Sequence, residues 1–287
     1  MRTVSRRLTY VMAGAALALG AAACGNHSAQ APAPTRYVWP DSFAYRVSER
    51  WESRRADSLV NWRAMAATLR FVVRYDGSYL VGNDSVVKTG GGPGSGAAGI
   101  PVSVEDTLHW FVRLGREGRF FDIERGCDPS VAACSAVPLS VFPLMLRRVI
   151  PHLPVWWPPR GDAWADTVAF DDSGATGGGG TRGWRLTVYR VPRDTVISGR
   201  GYWVLTFYSL TRRWRRGEGD SGSVAVPLVA EQGEALVDQS RFLPALVEWS
   251  GSVAVPPAAR AAGALETRYR GRAVLVGSGL DSLGGPP

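Results

Sequence analysis

Cysteine, histidine and lysine are all scarce in this chain of 287 residues. Cysteine and histidine occur three times each, and Lys88 is the single lysine among 33 basic residues. Structural zinc centres are built mainly from clusters of cysteine and histidine, and no such cluster occurs in the sequence. The few histidines also leave little material for general acid–base catalysis, which uses histidine most often. We therefore expect no metal, no other cofactor and no enzymatic activity.

Long hydrophobic runs are missing as well. The apolar stretch at residues 11–23 is made mostly of alanine and glycine, and it is shorter than the about 20 residues that cross a bilayer. Arg2, Arg6 and Arg7 precede it, which completes the pattern of a secretory signal peptide. We expect residues 1–23 to be such a signal peptide and not a transmembrane helix.

The signal pattern ends in Ala21, Ala22, Ala23 and Cys24, which resemble the lipobox of bacterial lipoproteins. The resemblance implies a diacylglycerol on the Cys24 sulfur, cleavage just before Cys24 and acylation of the new N-terminus. Several acyl chains would hold the protein at a membrane permanently. By analogy with Gram-negative lipoproteins, Gly25 at the next position favours the periplasmic face of the outer membrane. An ordinary signal peptide cleaved beside a cysteine is the alternative.

The other two cysteines, Cys127 and Cys134, enclose a short segment with the turn-forming residues Asp128 and Pro129. In an exported protein, an even pair this close in sequence predicts a disulfide. Closing so short a loop stabilises the folded chain by about 2–3 kcal/mol in the chain-entropy model. A metal site is disfavoured because neither a further cysteine nor a histidine lies nearby.

Positive charge exceeds negative charge, with a formal net charge of +8 at pH 7. The basic residues are scattered along the chain, whereas a nucleic-acid groove concentrates them on one face. We expect a solvated basic surface, no nucleic-acid partner and at most a weak attraction to anionic lipid headgroups.

Hydrophobic alternation with a period of two predicts antiparallel strands that have one buried and one solvated face. The alternating stretches lie at residues 43–51, 69–75, 108–114, 184–188, 245–255 and 265–275. Residues 202–214 are apolar at both parities, which predicts a strand covered on both faces. We therefore predict a mainly β fold, a curved antiparallel sheet or unclosed β-barrel with one or two short covering helices.

One covering helix is predicted at residues 140–150, which start at the potential cap Ser140 and stop at Pro151. Four apolar residues share one face of this helix, with Arg147 and Arg148 off that face. Two tryptophans follow in a proline-rich extended segment, where they could line the mouth of an apolar cavity, touch the membrane interface or fill the core beneath a loop. The candidate ligand-binding residues are therefore Phe142, Met145, Leu146, Val149, Trp156 and Trp157.

Residues 219–223, Gly-Asp-Ser-Gly-Ser, resemble the nucleophile segment of chymotrypsin-like serine proteases and would make Ser221 the nucleophile. That chemistry needs a histidine base, and His109 and His152 lie in surroundings unlike those of the protease family. A hairpin turn explains the same residues without catalysis. No pair of carboxylates stands out as a catalytic pair.

The composition predicts four segments: the signal peptide at 1–23, a flexible tether at 24–36, one β-rich domain at 37–277 and a disordered tail at 278–287. Within 37–277, the long antiparallel meander, the interrupting amphipathic helix and the late alternating hairpins resemble the lipoprotein-carrier superfamily typified by LolA and LolB. The resemblance implies an unclosed barrel whose apolar concave face holds acyl chains. We expect a membrane-anchored periplasmic protein that binds a lipid or acyl chain. An envelope scaffold that docks a protein partner and has no ligand cavity is the alternative.

Overall fold

The computed structural model describes residues 37–102, 107–126, 141–154, 160–171, 181–215, 224–255 and 263–280. The strands before the helix are β1 (Ser42–Arg55), β2 (Ser58–Val73), β3 (Tyr79–Gly91), β4 (Ala98–Gly99), β5 (Trp110–Leu114) and β6 (Phe120–Arg125). The helix α1 (Val141–Val149) follows. After it come β7 (Ala163–Asp171), β8 (Thr181–Ile197), β9 (Arg200–Arg215), β10 (Val224–Asp238), β11 (Pro244–Val253) and β12 (Glu266–Leu275).

These twelve strands form one antiparallel sheet that is not closed. Eleven of them lie in the order β6-β5-β3-β2-β1-β12-β11-β10-β9-β8-β7, and β4 pairs with β3 beside this path. The chain therefore builds one meander before α1 and a second meander after it. The two meanders join where β1 pairs with β12, from Tyr45 opposite Leu275 to Arg54 opposite Glu266. The predicted fold, a mainly β unclosed antiparallel sheet, is confirmed.

One face of the sheet, called the inner face here, carries the main core and α1. The alternation predicted for β1 and β11 is confirmed, because Tyr45, Val47, Val247 and Trp249 point to this face and are buried. On β5 the same is true of Val112. Packing of these side chains from both meanders into one cluster holds the two halves of the sheet together.

Strand β8 does not follow its predicted alternation. The sequence favours burial of Trp184, Leu186 and Val188, but Val188 is exposed, and Arg185 and Thr187 are buried on the inner face instead. Their polar groups are accommodated there because both hydrogen-bond to Ser209 on β9. The alternating stretch at residues 69–75 extends two residues past the end of β2 at Val73. Tyr75 lies in the turn that follows and is 96% exposed.

Helix α1 lies against the inner face and packs on β11. Its bounds agree with the predicted helix at residues 140–150. Leu146 and Val149 are buried in the main core, so the apolar stripe read from the sequence is the face by which α1 attaches to the sheet. Within the described residues, no helix is both long enough and apolar enough to span a bilayer.

A second, smaller apolar cluster covers part of the opposite face. It contains Tyr202, Ala245, Val274 and Leu280. This cluster explains why the start of β9 is apolar at both parities, as predicted. The cover does not extend along the whole strand, since Tyr208 is 48% exposed.

Three glycines of the second meander lie under aromatic rings on the inner face. Gly271 lies opposite Trp249 in the β11–β12 ladder, and Gly251 lies opposite Tyr269. A Cβ atom built on Gly271 would overlap the Trp249 indole, and one on Gly251 would overlap the Tyr269 ring. Gly233 is covered in the same way by a phenyl ring of β9. Glycine thus lets these aromatic rings lie flat on the sheet.

Candidate functional site

An open groove lies on the inner face beside α1, where the sheet extends beyond the helix. Its volume is about 540 Å³, and side chains from α1 and from both meanders line it. The apolar side chains of its described lining are Trp51, Ala64, Met65, Ile100, Leu144, Met145, Val229 and Val253. The groove therefore presents a mixed aromatic and aliphatic wall to solvent.

The same groove contains an excess of positive charge. Among the described residues that line the groove, one side chain is acidic, Glu49, and five are basic: Arg63, Lys88, Arg148, Arg185 and Arg213. A second acid, Glu231, contacts Arg148 and Arg185 directly. Counting Glu231, five cations face two acids, so the described groove has a formal charge of +3.

Glu231 on β10 is the centre of a buried network at the floor of the groove. The Arg148 Nε of α1 donates to its carboxylate at 2.7 Å, and the Tyr269 hydroxyl donates at 3.0 Å. Arg185 on β8 donates to the other carboxylate oxygen. Because all three donors come from different elements, Glu231 joins α1 to two strands of the second meander.

Glu49 on β1 completes the network from the first meander. Its carboxylate accepts a hydrogen bond from the Trp249 indole at 3.0 Å and lies 3.3 Å from the Arg148 guanidinium. Arg148 therefore bridges Glu49 and Glu231, and this contact ties the helix to both meanders. Both carboxylates and Arg185 are buried and Arg148 is half-buried, so solvent screens these ion pairs only in part.

The two carboxyl groups differ in acidity. Burial raises the pKa of Glu49, and the nearby Arg148 and the Trp249 hydrogen bond offset this only in part. Burial alone would also raise the pKa of Glu231, but Arg148 and Arg185 hold it below its ordinary value. Burial also raises the pKa of Tyr269, which keeps its hydroxyl protonated as a donor to Glu231. Glu231 is thus the firmly charged member of the pair.

A second set of polar contacts fixes the other side of α1. The Arg147 guanidinium donates to the Gly118 carbonyl at 2.8 Å, lies 3.0 Å from Asp166 on β7 and covers the Phe120 ring at 4.3 Å. His152 contacts the same Asp166 at 3.1 Å. Burial would raise the pKa of Asp166, but its hydrogen bond with His152 and the charge of Arg147 lower it. This cluster holds α1 in place and does not line the groove.

The structure places the sequence-predicted residues unevenly. Met145 lines the groove, whereas Leu146 and Val149 contact core side chains beneath α1. The side chain of Phe142 lies outside the described residues, as do Trp156, Trp157, Cys24, Cys127, Cys134 and Ser221. Lipidation of Cys24 and the Cys127–Cys134 disulfide therefore stay predictions.

The sequence reasoning missed the charged floor of the groove. One signal was available for Glu49, because it occupies a position on the apolar parity of β1, between Val47 and Trp51. A charged residue at a position expected to be buried indicates a buried partner. Arg185 gave no such signal, because the alternation in β8 favoured the other face.

A larger groove of about 730 Å³ lies on the opposite face of the sheet. Its charges are largely matched: Glu52 pairs with Arg50 and Arg54, and Glu266 pairs with Arg268. These side chains are at least one-quarter exposed, so they form a solvated ladder of ion pairs worth little stability. Among the residues that the structure describes, no group of three or more metal-ligating side chains occurs on either face.

No protein-family model matches the sequence, and no curated protein matches it. A solved structure described as "lipid-protein interactions in lipovitellin" is similar to this chain, with a TM-score of 0.46 and 10% sequence identity. The similarity covers 83% of this chain and 25% of the lipovitellin chain. This chain therefore spans about a quarter of the length of that protein.

Proposed function

We propose that this protein is a membrane-anchored lipoprotein of the bacterial envelope that binds a lipid or acyl chain in the groove beside α1, without catalysis. The observation that carries the proposal is the groove on the inner face, with its wall of Trp51, Met65 and Met145. Its volume of about 540 Å³ lies within the roughly 300–1,000 Å³ of typical ligand pockets. Burial of a hydrocarbon chain on such a wall is favourable by about 25 cal/mol per Å² of apolar area.

The ligand would lie beside α1 and not beneath it. The space beneath α1 is filled by core side chains, including Leu146 and Val149. The helix itself is held by Arg147 and Arg148, each with a buried carboxylate partner. A lid that opens to admit a chain is therefore not needed, because the groove is already formed.

The anchor part of the proposal comes from the sequence pattern that ends at Cys24. A lipid on this residue and the tether at residues 24–36 would keep the β-rich domain close to a bilayer, where acyl chains are abundant. The proposed location is the periplasmic face of the outer membrane. Intact-mass measurement of the mature protein tests this, with a lipidated Cys24 as the first residue expected. An unmodified Cys24, or a product that begins after it, would overturn the anchor.

Native mass spectrometry of the full chain, extracted in mild detergent, tests ligand binding. We expect co-purified lipid on the native protein and loss of that lipid in Ile100→Glu or Met65→Glu, which place a charge on the groove wall. Val196→Glu is the matched control, because Val196 is 71% exposed and lies outside the groove. Circular dichroism confirms that each variant is folded. Equal lipid retention in the groove variants and the control would contradict the proposal.

The dense packing beneath α1 favours a second candidate, an envelope scaffold that docks a protein partner. The main core fills this side of the sheet with buried side chains from both meanders and from α1. The part of the inner face beneath α1 is filled by the protein's own side chains and needs no ligand for stability. A native mass spectrum without bound lipid, unchanged after lipid is added, would favour the scaffold over lipid binding.

A further inference from the structure

The larger groove, on the opposite face of the sheet, contains a row of polar side chains from four neighbouring strands. Gln232 on β10 lies opposite both Tyr208 on β9 and Ser250 on β11. Ser250 in turn lies opposite Arg270 on β12. All four side chains are exposed and line the groove. Because neighbouring strands are about 4.8 Å apart, the row extends over about 14 Å from Tyr208 to Arg270.

The polar groups of this row are not used within the described protein. Among the residues that the structure describes, none forms a hydrogen bond or ion pair with the side chain of Gln232, Ser250 or Arg270. An amide, a hydroxyl and a guanidinium together offer several hydrogen-bond donors and acceptors. These groups are therefore available to a ligand that lies in the groove.

Arg270 is the arginine of the described lining that lacks a carboxylate partner. The other three arginines of that lining each have a carboxylate within 3.2 Å. Arg50 lies directly opposite Arg270 in the β1–β12 ladder, and like charges in this arrangement repel each other. Arg50 itself contacts Glu52 at 3.2 Å and covers the Trp62 ring at 4.7 Å. An anionic group bound at Arg270 would supply the missing counter-charge.

This groove offers little contact to a hydrocarbon chain. Alanine is the largest aliphatic side chain of its described lining, and Tyr208, which is 48% exposed, supplies an aromatic ring at one end of the row. An extended peptide cannot add to the sheet here, because each of the four strands in the row is paired on both sides and presents no edge. A ligand of this groove must therefore be recognised mainly through its hydrogen bonds.

We infer that this groove binds an acidic oligosaccharide whose carboxylate lies on Arg270 and one of whose sugar rings packs on Tyr208. The sugar hydroxyls between these two points meet Gln232 and Ser250. A sugar ring has an apolar face that packs on an aromatic ring, and its hydroxyls both donate and accept hydrogen bonds, as an amide and a serine require. A guanidinium binds a carboxylate through two parallel hydrogen bonds. This site is separate from the groove beside α1 and does not depend on lipid binding there.

Isothermal titration calorimetry on the full chain in nonionic detergent tests the inference with three probes. Trigalacturonic acid is the acidic saccharide, maltotriose is the neutral saccharide, and a tripeptide of glutamate carries acid groups without a sugar. We expect trigalacturonic acid to bind most tightly. Because a hydrogen bond to a charged group is lost, Arg270→Gln should bind trigalacturonic acid about tenfold more weakly and leave the affinity for maltotriose unchanged. Tyr208→Ala should weaken the binding of both saccharides.

Arg190→Gln is the matched control for the charge. Arg190 is exposed on the same face of the sheet but lies outside the groove, so this variant should bind the three probes as the native protein does. Circular dichroism confirms that each variant is folded. Equal weakening in Arg190→Gln and Arg270→Gln would show an effect of overall charge and would overturn the site at Arg270.

The remaining outcomes separate the saccharide from other ligands. Equal binding of the glutamate tripeptide and trigalacturonic acid would indicate an acidic peptide and would overturn the saccharide. Equal binding of maltotriose and trigalacturonic acid would overturn the carboxylate position, and binding of none of the probes would overturn the site. Ile100→Glu, which alters the groove beside α1, should leave the binding of trigalacturonic acid unchanged. Loss of binding in that variant would contradict a site on the opposite face.

Discussion

Replacement of Glu231 by glutamine removes a buried charge that contacts two arginines at once. The glutamine still fits the site and keeps one acceptor for the Tyr269 hydroxyl, but Arg148 and Arg185 lose their common counter-charge. Breaking a buried ion pair from one side destabilises a protein by about 3–5 kcal/mol. Because some hydrogen bonding remains, we expect the free energy of unfolding to fall by about 3 kcal/mol.

Glu49→Gln is the matched comparison, since it removes the other acid of the same network. Burial raises the pKa of Glu49, so its charged form is disfavoured in the folded protein relative to the unfolded chain. The amide keeps an acceptor for the Trp249 indole, now bonded at 3.0 Å. We therefore expect a loss of at most about 1 kcal/mol, the size of one ordinary hydrogen bond.

Urea unfolding at pH 7, followed by tryptophan fluorescence and by circular dichroism, measures both free energies. Unchanged slopes against urea are needed for a direct comparison. The reasoning requires a clearly larger loss in Glu231→Gln than in Glu49→Gln. Equal losses, or a larger loss in Glu49→Gln, would show that Glu231 is not the firmly charged centre of the network.

Two further predictions concern the sheet and the second ion cluster. Gly271→Ala places a methyl group against the Trp249 indole and should lower the free energy of unfolding by about 1–3 kcal/mol. Gly99→Ala is the control, because its methyl group meets open space, and it should change the free energy of unfolding by less than about 0.5 kcal/mol. Similar losses for the two variants in urea unfolding would contradict the close packing of Gly271 against Trp249. The lowered pKa of Asp166 gives stability that is present above an ordinary carboxyl pKa of about 4 and is lost as the pH falls. Below about pH 5, the free energy of unfolding should therefore change less with pH in Asp166→Asn than in the native protein. An unchanged slope would refute the contribution of the Asp166–Arg147 pair to stability.

The strands of this fold could be predicted where burial follows a local pattern. In β1 and β11, alternate apolar residues such as Tyr45 and Val247 identify the inner face directly. The pattern fails in β8 because the side chains that satisfy Arg185 are distant in sequence: Glu231 lies 46 residues away on β10. A sequence window of one strand contains no information on such a partner, so burial of an arginine could not be anticipated.

The candidate site was harder to predict than the fold, because it is assembled from many elements. The helix was located correctly, but the apolar face that identified it is the face that packs on the sheet, as the burial of Leu146 shows. The groove beside α1 is lined by strands of both meanders, and these strands share one sheet because β1 pairs with β12. The pairing of two strands so far apart in the chain could not be read from the sequence. Only the charged residue on the apolar parity of β1, Glu49, indicated from the sequence that this face is not uniformly apolar.

The length of α1 explains why a groove exists at all. Its nine residues span about 14 Å, whereas the 14 residues of β1 extend over about 46 Å, so the helix covers only part of the inner face. A uniformly apolar strip beyond the helix would be a large exposed hydrophobic patch, which soluble domains avoid unless they use it for binding. Arg63 and Lys88 interrupt that strip without filling it.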